Sequence, residues 1–174
     1  EDCLACHTPA TRFVLGLNTR QMNRTGQPQT PVNQIDSFAQ MGMFTKPVPP
    51  ASTLEAYPRW DARRTDATRA ATESLAKAYL DVQCAMCHSS KGQRGARPDF
   101  SYHTPPAAMA LVNRNAGQGR VGPEDSKLLV PGSVQRSEIY HRAATRGPRQ
   151  MPPMATNVAD EEGLQVLRRW IEGL

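Results

Sequence analysis

Aromatic residues are scarce in this chain: Phe, Trp and Tyr make up 6% of its 174 residues, and the whole apolar fraction is 39%. Side chains in that supply bury little surface, so a large core would need apolar material from elsewhere. Long apolar runs are lacking as well. None approaches the roughly 18 residues of a membrane span, which predicts no transmembrane segment, and the first residues do not read as a signal peptide. Blocks of like charge are missing too. The formal net charge is +5, yet Lys and Arg are dispersed, which argues against nucleic acid as a partner. The mildly basic surface suits steering toward acidic partners. Cysteine is rare, at 4 residues, and its placement says more than its number.

What the chain has in quantity is proline and glycine, 15 and 12 residues, which predicts long loops between few regular elements. All the cysteines fall in two copies of one pattern, Cys3-Leu4-Ala5-Cys6-His7 and Cys84-Ala85-Met86-Cys87-His88. C-x-x-C-H is the spacing of covalent c-type haem attachment. Two thiols one helical turn apart can add to the two vinyl groups on a porphyrin edge, and the imidazole that follows reaches the iron from the proximal face. The expected cofactors are therefore two haem c groups. Cys3, Cys6, Cys84 and Cys87 would attach them, and His7 and His88 would ligate iron. Other chemistries use paired cysteines. Zinc knuckles usually sit closer together in sequence, and a redox-active C-x-x-C needs a βαβ context lacking here. Two local disulfides would leave both histidines unexplained.

Around the second motif the periodicity is helical. Over residues 66–83, Ala71, Leu75, Ala78 and Val82 recur at helical spacing, Tyr79 lies on a neighbouring strip, and Thr65 or Asp66 can cap the start. This helix would run straight into Cys84. A polar, Gly-rich loop follows His88 through Gly95, then Pro98 to Pro106. A second helix is predicted from Ser137 to near Gly147, with Ile139, Tyr140 and Ala143 or Ala144 inward. Then comes Arg149-Gln150-Met151-Pro152-Pro153-Met154. The last helix starts near Asp160, with Asp160, Glu161 and Glu162 in its first turn and Arg168 and Arg169 late. Leu164, Leu167, Ile171 and Leu174 form its apolar stripe, with Trp170 beside it.

Helix, C-x-x-C-H, loop, helix, Met-Pro-Pro and a closing helix with Trp-Ile together resemble a class I cytochrome c domain over residues 66–174. The resemblance implies an all-α fold with long loops. It also implies that Met151, the methionine of Met-Pro-Pro, is the distal iron ligand. The chemistry suits that role, because a thioether is a soft, neutral ligand that favours ferrous iron and raises the reduction potential. The adjacent prolines would stiffen its loop. Met154 is the rival ligand, with haem packing as its other role. The stretch from Pro131-Gly132-Ser133 to Ser137-Glu138-Ile139-Tyr140 resembles segments of bacterial cytochrome domains, which implies a capping role for the helix that follows.

The first motif is less complete. No helix precedes Cys3, so the expectation is a smaller haem-binding subdomain over residues 1–60 ahead of a class I-like domain over 61–174. The chain then reads as the C-terminal cytochrome portion of a larger, processed protein. Leu15-Gly16-Leu17-Asn18-Thr19-Arg20-Gln21-Met22-Asn23-Arg24 resembles a segment of bacterial dihaem cytochromes. For the sixth ligand of the first iron, Met22 is closest to its motif and carries the right chemistry. Met41, Met43, His103 and His141 are alternatives, as is an open iron. Core packing is the commoner fate of a methionine. Residues 45–65, with Pro47, Pro49, Pro50 and Pro58, read as an extended linker. Trp60 would pack on a haem edge or cover the junction.

Two functions of different class follow. In one, both irons are six-coordinate and the chain passes single electrons between redox proteins or from a fused dehydrogenase domain. In the other, the first iron is open and the protein is a peroxidase-like enzyme. Peroxide cleavage would want a distal acid–base group. His103, His141 and Glu138 can be named for it, but no arrangement in the sequence points to one, so the reading leans away from an enzyme. Covalent haem implies a periplasmic or otherwise exported location.

Overall fold

The computed structural model describes residues 4, 7, 9, 13–26, 31–60, 67–89 and 98–174. Among them five α-helices follow one another: α1 (Thr19–Met22), α2 (Gln34–Gln40), α3 (Arg69–Gln83), α4 (Glu138–Ala144) and α5 (Glu161–Glu172). The fold is all-α. The described residues contain no extended strand, only isolated bridges such as Val112 with Leu129 and Lys127 with Ser137. No described helix is long and apolar enough to cross a membrane. Two compact units are formed, Gly16–Arg59 and the combination of Glu1–Leu15 with Trp60–Leu174.

In the larger unit, α3 begins where Thr68 takes an extended backbone and its hydroxyl accepts the N–H of Ala71, satisfying one of the orphan donors of a helix start. The expected caps Thr65 and Asp66 lie outside the described residues. The buried face also departs from the expected stripe. Leu75, Ala76, Ala78 and Leu80 are buried, whereas Ala71 is exposed and Val82 only half-buried. Asp160 caps α5 by accepting the N–H of Gly163, and acidic Glu161 and Glu162 suit the positive end of the helix dipole. Leu164, Val166, Leu167, Trp170 and Ile171 face inward. Val166, Leu167, Trp170 and Ile171 join Leu75, Leu80, Phe100, Met109, Leu111 and Leu129 in one core.

α3 and α5 pack against each other at Gly163. A methyl placed there would overlap the Tyr79 ring, so the absent side chain is what lets the helices approach. Trp60 lies over the same crossing, its ring 6.3 Å from that of Tyr79 and its indole N–H donating to Glu162. Overpacking a tight contact costs about 1–3 kcal/mol, more than the roughly 1 kcal/mol that alanine's helix propensity returns. Gly163→Ala is expected to lower unfolding stability by about 1–2 kcal/mol, read as a lower urea midpoint at unchanged slope.

The smaller unit is held by asparagines rather than by a large apolar core. Asn18 and Asn33 cap α1 and α2. Asn23 is buried, and its amide donates to the carbonyls of Ala51 at 3.0 Å and Leu54 at 2.7 Å. Its oxygen accepts from the Asn33 amide at 2.7 Å. These bonds fold part of the expected linker back into the unit. Ala51–Thr53 form a 3₁₀ turn, Ala51 and Tyr57 are buried, and the Tyr57 hydroxyl accepts from Asn18. Over residues 45–60 the chain is therefore not a free spacer; residues 61–65 lie outside the described residues.

Candidate functional site

The second motif continues directly from α3. Cys84 closes the helix, donating its N–H to Leu80 at 2.9 Å. The N–H groups of Cys87 and His88 then return to the Cys84 carbonyl at 3.1 and 2.9 Å. One tight turn therefore carries both sulfurs and the imidazole. The two thiols are not joined to each other. Burial pushes the Cys84 thiol up to about 12, and Cys87 beside it adds to the shift, so the sulfur stays neutral. Behind His88 stands Phe100, with ring centroids 5.6 Å apart and planes nearly perpendicular. Phe100 also donates its N–H to the His88 carbonyl at 2.8 Å. Backbone and ring of the histidine are thus both located by a buried residue.

In the first motif, Cys3 and Cys6 lie outside the described residues. His7 is exposed, and its Nδ1–H donates to the Phe13 carbonyl at 2.7 Å. That bond leaves Nε2 as the basic nitrogen, the arrangement of a histidine prepared for a metal. Apolar Leu4, Phe13 and Val14 are exposed near it in sequence.

Met151 is half-buried and donates its backbone N–H to the Arg142 carbonyl at 2.9 Å. Gln150 ties the loop to itself. It accepts from the Gly147 N–H at 2.7 Å and donates to the carbonyls of Pro152 and Thr156. Arg146 clamps the loop base by donating to the carbonyls of Ala143, Thr145 and Val158. Arg149 and Ala155, at φ of 67° and 60°, hold left-handed backbone on either side, a conformation that costs energy outside glycine and needs such support. Met154 is 41% exposed. Neither Gln150 nor Arg146 was singled out from the sequence, although Gln150 adjoins Met-Pro-Pro.

The remaining candidates are dispersed. Met22 is half-buried on α1, next to the fixed Asn23. Met41 and Met43, after α2, are 62% and 63% exposed. His103 is exposed in a turn against Tyr102. His141 is half-buried rather than exposed, and its Nε2 is committed to the Gln135 carbonyl at 2.7 Å. Glu138 is fully buried at 0% exposure, with its carboxylate occupied by hydrogen bonds. A distal acid–base role requires a group open to substrate, which the fully buried Glu138 does not offer.

The stretch expected to cap α4 does lead into it, with Ser137 at the N-cap. The Ser137 hydroxyl makes no bond to the α4 start and instead donates to Ser133 at 2.7 Å and accepts from Val130. On α4, Ile139, Tyr140 and Ala143 pack against the core as expected, partly buried, and Glu138 and Arg142 are buried beside them. Among the described residues no three His, Cys, Asp or Glu side chains gather to chelate a metal by themselves. No family model, curated protein or solved structure matches this chain.

Proposed function

We propose that the chain is a dihaem c-type cytochrome that passes single electrons between redox proteins, acidic ones favoured by its charge, or from a fused dehydrogenase domain, in an exported compartment. The observation that carries the reading is the second motif: α3 ends on a turn that presents two unlinked thiols and a packed imidazole in sequence order. Over residues 66–174 the chain then resembles a class I cytochrome c domain. Cys84 and Cys87 would attach the porphyrin edge, His88 would ligate the iron, and Met151, on its clamped loop, would close the opposite face. For the first haem, Cys3 and Cys6 would attach the porphyrin and His7 would ligate the iron through Nε2, with Met22 the first choice of sixth ligand and Met41, Met43, His103 and His141 the alternatives. Exposed Leu4, Phe13 and Val14 fit an apolar group seated at His7.

Haem iron supplies a one-electron couple whose potential follows its axial ligands. The protein's part is to fix those ligands, so that little rearranges when charge changes. Gln150, Arg146 and the prolines do this for Met151. The reading is tested by adding carbon monoxide to the dithionite-reduced protein. An unchanged spectrum is expected, since strong ligands close both irons. A shift of about half the haem absorbance, one iron of two, would remove Met22 from the first iron and bring forward the peroxidase-like alternative.

A further inference from the structure

The carbonyls in the last turn of a helix have no partner within it. In α4 the His141 carbonyl takes the N–H of Thr145 at 2.9 Å, and the Arg142 carbonyl takes the N–H of Met151 at 2.9 Å. Arg142 therefore holds the backbone of Met151 directly. Its side chain is tied elsewhere. The guanidinium donates to the Gly119 carbonyl at 2.7 Å and lies 3.5 Å from Glu138.

Glu138 completes the connection one turn earlier on the same helix. One carboxylate oxygen accepts the N–H of Val121 at 2.9 Å; the other accepts the N–H of Gly122 at 2.8 Å and the Ser126 hydroxyl at 2.6 Å. Ser126 is itself fully buried. Gly122 must be glycine, since a Cβ there would strike the His141 ring. Three donors and the Arg142 guanidinium thus surround one buried carboxylate, and together they bolt α4 to residues 119–126. These bonds are what let a charge stand at 0% exposure, because burying an ion is costly unless it is fully bonded.

We propose that Glu138 is a positioning residue for Met151, setting through Arg142 where the methionine sulfur stands; the inference rests on reading Met151 as the distal ligand. The route is short and mechanical. Glu138 fixes the roll of α4 against residues 119–126, the roll fixes the Arg142 carbonyl, and the carbonyl fixes the Met151 backbone. A neutral thioether bonds ferric iron weakly, so it depends on being held in place more than an imidazole does. Residues that orient a ligand without touching the metal commonly govern its affinity by 10–100-fold.

The test uses the ferric holoprotein at fixed pH and ionic strength. Two readouts report the sulfur ligand: the deep-red charge-transfer absorption of methionine-ligated ferric haem, and its displacement by imidazole. Glu138→Gln keeps the shape but turns one acceptor into an NH₂ group facing a donor. It is expected to weaken the deep-red band and let imidazole displace the sulfur at about tenfold lower concentration. Ser126→Ala removes a single donor and is expected to give about a threefold change; it decides the matter alone if Glu138→Gln does not fold. Lower global stability with unchanged displacement in the folded variants would make Glu138 a structural residue only and overturn the inference. Met151→Ala separates the two ideas. If it removes the second haem's share of the band, about half where Met22 gives the first haem the same ligation, while the Glu138 and Ser126 variants displace like wild type, the ligand reading stands and the positioning role falls. If Met151→Ala leaves the band at full strength, the ligand reading falls and takes the positioning role with it.

Discussion

Met151→Ala is expected to open the iron of the second haem. The reduced variant should bind carbon monoxide at one haem of the two, and that haem's reduction potential should fall by on the order of 0.2 V, within the roughly 0.8 V span commanded by axial ligands. The direction follows from ligand chemistry. A thioether stabilises ferrous iron, and water or a stronger donor in its place favours the ferric state. The surrounding loop should survive the change. Its fixed points are the Gln150 side chain, the Arg146 guanidinium and the backbone N–H of residue 151, none of which depends on the methionine side chain. Redox titration of the variant beside Met154→Ala distinguishes the two methionines. Met154 is 41% exposed, and its removal should leave both the potential and the carbon monoxide response unchanged. If Met154→Ala produced the shift instead, the distal assignment would move three residues along the loop.

The elements that carry apolar stripes were readable from sequence, and those that carry paired charges were not. The stripe of α5 is an instance of the first: Leu164, Leu167 and Ile171 are buried as their spacing predicts, and Asp160 caps the helix. Here periodicity, capping chemistry and terminal charges all point the same way. α3 was readable in type but not in its first residue. Thr65 and Asp66 are the caps expected on paper, and the structure shows Thr68 in the role. α4 was readable only in part. Ile139 and Tyr140 pack against the core as their spacing predicts, but Glu138 is buried too, where a carboxylate finds several donors. Those donors come from Val121, Gly122 and Ser126, in a stretch with no periodicity, so no local pattern could announce them. Asn23 repeats the lesson in the smaller unit. It makes bonds to Ala51 and Leu54, across a proline-rich stretch whose composition alone suggests a spacer.

The same buried carboxylate predicts the largest loss of stability. Glu138→Ala would leave the N–H groups of Val121 and Gly122, the Ser126 hydroxyl and the Arg142 guanidinium without their shared acceptor. Removing one partner of a buried, bonded charge typically costs about 3–5 kcal/mol, a large share of the 5–15 kcal/mol that holds an ordinary domain together. Its pH dependence has a definite sign. Burial by itself works against ionisation of Glu138, but the hydrogen bonds from Ser126, Val121 and Gly122 and the charge of Arg142 outweigh it and hold the carboxyl below its usual range. A carboxyl depressed on folding contributes stability that is fully present above its unfolded pKa of about 4.3. That contribution is lost as pH falls through the folded value. Wild type should therefore show an acid limb below about pH 4.3 in its urea midpoint. Glu138→Ala should start lower and lose this part of the slope, because no proton can be taken up at a side chain that is gone. Parallel limbs in the two proteins would show that other carboxyls govern acid unfolding and that Glu138 is not the charge on which this part of the fold depends.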